Sequence, residues 1–300
     1  MKFYKIILLV FFIACPINAN DGIVDKISDG VLSITSKSLE SILDNIGRGD
    51  TEVIIGGSQK NKPSGSIMIV RPIMEFNKSV IFNQTQVNNN FVRGKNRFTL
   101  NLGLGYRDIS EDETFFTGYN IFVDVDSEKN KRASLGLEFK STPFEMSGNY
   151  YKRISGVIKV GDFNERVLDG YDIGMVGQVP YLSWLDITYS NYTWKKVKNI
   201  KNSKGNKLGL EIYFMKNIDL ALGVDHNNID GDILYGNLIF KNRDKPRKSM
   251  MESFEEGKLI SDVAFQESNV RNKLLSKVRR TNRIVVETEG SGVVISRAIE

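Results

Sequence analysis

In residues 97–106, RFTLNLGLGY, Phe98, Leu100, Leu102, Leu104 and Tyr106 fall on one parity. Thr99, Asn101, Gly103 and Gly105 fall on the other. Side chains alternate across a strand with a period of two, so this stretch has an apolar side and a small polar side. The pattern recurs in GYNIFVDVD, ASLGLEFK, WLDITYS, NKLGLEIYF and IDLALGVDH. It predicts twelve strands at 52–57, 66–74, 79–88, 96–107, 115–126, 132–141, 144–154, 169–179, 184–194, 206–215, 217–226 and 232–241. Strands two and three alternate poorly, and Pro72 demands a strand end or a bulge.

Alternation alone suits a soluble lipocalin-like barrel as well as a membrane barrel. The connections tip the balance. Short ones (SEDET, TP, PYLS, KN) alternate with long ones (58–65, 88–96, 157–167 and 195–207). Outer-membrane barrels have short periplasmic turns and longer outside loops. Backbone in lipid must also close all its edges. The expected fold is all-β: a twelve-stranded antiparallel transmembrane barrel, with both barrel ends on the periplasmic side.

The apolar run Ile6–Cys15 follows Lys2 and Lys5 and is too short to span a bilayer as a helix. It is expected to be a secretory signal peptide cut after Ala19. The alternatives are an amphipathic N-terminal helix and a lipobox at Cys15; the run is apolar all round, and Phe12 and Pro16 fit a lipobox badly. Cys15 is the sole cysteine, so the mature chain has no disulfide or thiolate metal site. In 20–50, Leu32, Ile34, Leu39, Ile42, Leu43 and Ile46 approach a helical stripe, with Gly47 as a stop. The net charge is +5 and the mean hydropathy −0.25. Lysines crowd 195–207; a solvated loop is the plain reading, and after a signal peptide anionic lipid headgroups suit it better than nucleic acid.

After 241 the strand pattern stops. KNRDKPRKSMMESFEEG is charged and breaks the sheet. FQESNVRNKLLSKVRR predicts a helix with Val270, Leu274, Leu275 and Val278 as its apolar stripe. RIVVETE is strand-like, and GSGVVISRAIE ends the chain.

The ordered series RFTLNLGLGYRD, GYNIFVDVD, ASLGLEFK, FEMSGNYYKRISG, ERVLDGYDIGMVGQVP, LALGVDHNNIDGDILYGNLIF and DKP resembles the β-domain of inverse autotransporters, the intimin/invasin family. The resemblance covers about residues 40–288. It implies a twelve-stranded outer-membrane barrel and a periplasmic helix before it. It also implies a linker that turns back at Asp244–Pro246 and threads the pore outward, partly as a helix. Barrel-assembly machinery and periplasmic chaperones are implied partners. Relatives continue into a long adhesive passenger; here residues 289–300 cannot bury a core, so the passenger is expected to be missing or minimal. Residues 20–50 are also too short for the peptidoglycan-binding module that many relatives carry. The expected organisation is signal peptide 1–19, periplasmic segment 20–50, barrel 51–243, pore-threading linker and helix 244–288, and exposed tail 289–300.

Asn101, Asp124, Asp126, Glu138, Lys140, Lys207, Glu211 and Asp219 lie on the polar parity and are expected to line the pore. Asp124 and Asp126 could share a cation, but pairing with lumen Lys or Arg, or with the plug, is favoured. Val270, Leu274, Leu275 and Val278 belong to the expected pore helix. Gly148, Gly209 and Gly223 mark bends or close passage of the linker. Trp184 and Trp194 suit two interfacial belts. His226 is a lone histidine at a strand end, without partners for a metal site or an oriented nucleophile. GLGYRD lacks the third glycine of a dinucleotide loop. No catalysis, cofactor, metal or nucleic acid is expected. The expected function is translocation or anchoring of the chain's own C-terminal segment at the surface; the alternative is a channel gated by its C-terminal helix.

Overall fold

The computed structural model describes residues 49–59, 61–92, 95–196, 202–242, 247–265, 269–289 and 292–294. The signal peptide expected at 1–19 and the helix expected within 20–48 lie outside the described residues.

Twelve strands close one antiparallel barrel: β1 (Thr51–Ser58), β2 (Asn61–Glu75), β3 (Ser79–Val92), β4 (Lys95–Ile109), β5 (Phe115–Asp126), β6 (Lys131–Ser141), β7 (Phe144–Arg153), β10 (Asp169–Gln178), β11 (Leu185–Lys195), β12 (Ser203–Met215), β13 (Ile218–Asn227) and β14 (Gly231–Asn242). Each pairs with the next strand of the barrel, β7 with β10 across the β8–β9 stretch. Closure joins β1 to β14, with Thr51 opposite Asn242. Both barrel ends therefore lie on one rim, here the terminal rim, along with the turns at 110–114, 142–143 and 216–217. At the far rim, the stretch between β7 and β10 carries β8 (Ile158–Val160) and β9 (Phe163–Val167). These pair with β15 (Val286–Thr288) and β16 (Gly292–Val294) in the order β16-β15-β9-β8. No helix among the described residues is long and apolar enough to cross a membrane; strands do the crossing.

The alternation is inverted relative to a soluble protein. Leu100, Leu102, Leu104, Ile121, Leu135 and Leu137 are exposed on the outer face, while Asn101, Asp124, Arg132 and Glu138 are buried inside. An outer face this apolar has lipid as its counterpart.

Several expectations need correction. Residues 58–65 and 88–96 are not long loops; β2, β3 and β4 extend through them, so the wall itself stands taller at the far rim. β2 keeps Pro72 by a register shift between Pro72 and Met74, because a proline cannot donate to the ladder. Trp194 is not in an interfacial belt. It sits on the inward parity, buried with Tyr151, Leu168, Tyr192 and Val285. Trp184 is half-buried and donates its Nε1–H to the Leu259 carbonyl at 2.9 Å. Gly209 and Gly223 make room for the Tyr235 hydroxyl, which would lie 2.7 and 2.5 Å from an added Cβ. Gly148 has open space around it.

The inward glycines of the 97–106 stretch have a related task. A Cβ on Gly103 would lie 2.2 Å from the Phe122 ring, and one on Gly105 would lie 2.2 Å from the Phe82 ring. Both rings are fully buried in the lumen. Gly105→Ala is expected to destabilise the barrel by about 1–3 kcal/mol through overpacking. The check is a lower temperature for loss of the compact gel form; an unchanged temperature would show that the ring can move aside.

Candidate functional site

The lumen is filled by the chain's own C-terminal stretch. Arg247 opens the path. Its guanidinium donates to the Ser183 carbonyl and to Asp186, with Nη2 2.6 and 2.9 Å from them. A short helix, α1 (Met250–Glu255), follows. Ser249 and Glu252 form a reciprocal capping box at its start. At its end Gly257 adopts φ +67, and the 257 and 258 amides donate to the Phe254 and Ser253 carbonyls. That is a Schellman stop. The chain crosses the terminal rim and reaches the turn 110–114, where Glu113 accepts from Arg271 Nη2 at 2.6 Å and Nε at 2.9 Å.

A single 3₁₀ turn, Val270–Lys273, is the only helical piece among the described residues of 269–289. This corrects the expected pore helix. A helix pairs its own backbone; here the wall does so instead. Arg107 donates to the Leu274 and Ser276 carbonyls at 2.6 and 2.7 Å. Lys140 donates to the Lys277 carbonyl at 2.6 Å, and Arg132 to the Thr281 carbonyl at 2.6 Å. Asn149 and Asn101 reach the Arg279 and Asn282 carbonyls. The amides of Val278 and Thr281 donate to Gln84 and to the Tyr151 hydroxyl.

Charge locks the same stretch. Residues 271–283 hold Arg271, Lys273, Lys277, Arg279, Arg280 and Arg283 with no acid. Wall carboxylates receive them: Glu145 takes Lys273 and Arg279, Glu52 takes Lys277, and Glu211 takes Arg279 at 2.7 and 2.9 Å. Asp124 takes both Arg280 and the wall's Arg132 at 2.7 Å, all three fully buried. Aromatic faces support the guanidiniums. Arg107 lies 4.2 Å from the Phe82 ring centre, Arg280 4.2 Å from Phe122 and Arg132 4.3 Å from Tyr151. The glycines that clear space for Phe82 and Phe122 thus help hold the segment.

The segment leaves at the far rim. The Leu168 amide donates to the Val285 carbonyl, and β15 pairs with β9, Val286 opposite Val167.

A family model for the inverse autotransporter β-domain matches residues 17–282. The chain belongs to the inverse autotransporter β-domain family. No curated protein matches it. Among solved structures, a protein from a work on the mechanism of in-meso crystallization of membrane proteins aligns at TM-score 0.65 and 22% identity, covering 80% of this chain and 99% of that one. It shares the fold. The KdgM porin (TM-score 0.43, 10% identity, 64% of this chain and 98% of that one) is a fainter likeness. So is outer membrane phospholipase A from Escherichia coli (TM-score 0.42, 8% identity, 65% of this chain and 97% of that one). This inverse autotransporter β-domain resides in a Gram-negative outer membrane, with lipid against its outer face.

Within the β-domain, the residues singled out from sequence fall into three groups. Asn101, Asp124, Lys140 and Glu211 contact the threaded segment directly. Glu138 acts behind it, accepting from Arg107 at 2.7 Å. Asp126, Lys207 and Asp219 sit elsewhere: Asp126 with Arg97, Lys207 beside the Tyr192 ring, Asp219 with Lys241. Among the described residues, Asp124 is held by Asn101, Arg132 and Arg280, and Asp126 by Arg97 and Asn130, so the two are held apart. Val278, with Leu274 and Leu275 beside it, packs on Met68, Val70, Val80, Phe82 and Phe122; Val270 packs on Ile109 and Phe116. His226 touches Asp232 at the exposed far-rim end of β13. Reading the sequence missed Glu52, Arg107, Arg132, Glu145 and Asp172. Their signal was parity: charged residues inside strands whose opposite face is apolar. It also missed α1, although Ser249, Glu252 and Gly257 spell both caps.

The Glu113 carboxyl is held from its ordinary 4.5 down to about 2, chiefly by hydrogen bonds from Arg271. A group with a depressed folded value lends stability above its unfolded value and loses it as pH falls toward the folded one. The Glu113 share of the anchoring of 269–273 is therefore full above about pH 5 and fades toward pH 2, while the packing of Val270 and the contacts of Lys273 remain. A nitroxide on Asn272→Cys is expected to gain mobility over that range. Glu113→Gln should give the low-pH spectrum throughout; a pH-independent spectrum with Glu113 intact would refute the anchor.

Proposed function

We propose that this β-domain leads its own C-terminal segment, 244–288, through the outer membrane and anchors it at the cell surface. The observation that supports this is the continuous path of 269–289, extended through the lumen from Glu113 at one rim to β9 at the other. In outer-membrane barrels the short turns and chain ends face the periplasm. The segment then enters from the periplasm and leaves outside. Backbone in hydrocarbon needs every polar group paired, and the lumen wall supplies those partners. No chemical step is assigned to His226. Export by the expected signal peptide, insertion by the barrel-assembly machinery with periplasmic chaperones, and display of an adhesive cargo joined to the segment complete the reading. The lysines of 195–207 suit anionic lipopolysaccharide nearby.

A channel gated by the segment is the second reading. A cavity of about 110 Å³ beside the segment, lined by Glu52, Lys207, Glu211 and Tyr235 among others, favours it. Both readings predict that deleting 250–300 raises conductance. They part at Ser291→Cys, labelled on intact cells with an impermeant maleimide. Surface display gives labelling; protection until the outer membrane is opened overturns it.

A further inference from the structure

The terminal rim carries an apolar surface that the lumen does not use. Phe254, Leu259, Ile260, Val263 and Phe265 are all exposed, as is Tyr181 beside them. They do not belong to a loose tail. α1 packs against β12 and is capped at both ends. The stretch after it is pinned to the turn between β10 and β11. The Tyr181 amide donates to the Ala264 carbonyl at 2.8 Å, the Ser261 amide to the Tyr181 carbonyl at 2.7 Å, and Trp184 to Leu259. A well-fixed cluster of large exposed apolar side chains marks an interaction surface.

We infer that residues 32–46 of this same chain cover it. Their sequence carries Leu39, Ile42, Leu43 and Ile46 at i, i+3, i+4 and i+7, the spacing of one helical face. That stripe needs an apolar partner. The family match begins at residue 17, so the stretch is part of the same β-domain as the barrel. Its attachment is also right. The described chain begins at Gly49, next to β1 on the terminal rim; β12, under α1, is three strands away across β14 and β13, and the β10–β11 turn that holds 259–264 is four to five strands away. At roughly 4.8 Å per strand the patch runs from about 14 Å to about 22 Å along the rim. As a helix, 32–46 would span about 21 Å, enough to reach from β1 over most of the patch. The pairing would brace the rim at which the C-terminal segment enters. It stands whether or not that segment is translocated.

The test uses the full chain from outer membranes, with Cys15→Ser. Ile42→Cys with Ile260→Cys is expected to form an intramolecular disulfide, read as a non-reducing gel shift. Ser41→Cys, on the opposite face, paired with Ile260→Cys, is not. Deleting 20–46 is expected to speed maleimide labelling of Ile260→Cys by about tenfold, the factor that corresponds to ~1.4 kcal/mol. A heat-modifiable gel shift confirms that each variant folds. Equal crosslinking of both pairs would overturn the inference. So would disulfide-linked dimers, which mean that a second copy covers the patch. Labelling that stays slow after the deletion overturns it too, since lipid then covers the patch.

Discussion

Asp124→Ala is expected to cost about 3–5 kcal/mol, the usual penalty for removing one partner of a buried ion pair. The variant leaves two fully buried guanidiniums side by side where the carboxylate stood, Arg132 of the wall and Arg280 of the segment. It also removes one of the two acceptors for Asn101 Nδ2, at 2.7 Å. Neither arginine can retreat into water, because Phe122 and Tyr151 lie against them. Two measurements separate the wall from the segment. Urea unfolding in vesicles reads the whole loss. Limited proteolysis within 269–289 reads release of the segment. The double variant with Arg280→Ala should cost less than the sum of the single ones, since it removes one of the two orphaned charges along with its partner. Additive costs would mean that Asp124 and Arg280 do not interact.

Leu137→Arg is expected to cost about 2–4 kcal/mol, the penalty for a cation at the bilayer midplane of a barrel. Leu137 is 61% exposed, lies midway along β6 and points outward. In a soluble protein a residue that open to the surroundings would accept arginine almost freely. The same change is therefore nearly neutral if water bathes this face and severe if lipid does. Urea titration in phospholipid vesicles decides between them. An unchanged midpoint would remove lipid from the outer face, and with it the membrane reading of the whole wall.

The barrel was legible because lipid outside and water or charge inside impose a strict period of two. Each of the twelve predicted stretches is a strand. The places where parity faltered are instructive. β2 and β3 looked irregular because Met68, Val70, Val80 and Phe82 are apolar yet face inward. They do so to receive Leu274, Leu275 and Val278, so the flaw in the pattern was the imprint of the segment. The pore helix was misread for a complementary reason. Helical spacing of apolar residues is a local signal, and here distant side chains (Arg107, Lys140, Arg132) take over the backbone partners a helix would provide for itself. The lumen clamp was half legible. Asp124 and Glu211 stood out as charges on the polar parity, whereas Glu52 and Glu145 lie near strand ends, where alternation is short and weak.

The seam between Thr51 and Asn242 sets an order of assembly. Until Asn242 arrives, the first and last strands both present raw edges, and no shorter piece of the chain can cover them. A molecule stalled in export before β14 is therefore an open, adhesive sheet and not a smaller pore. Everything that follows Asn242, the basic stretch included, meets the wall only after the last stave has been delivered.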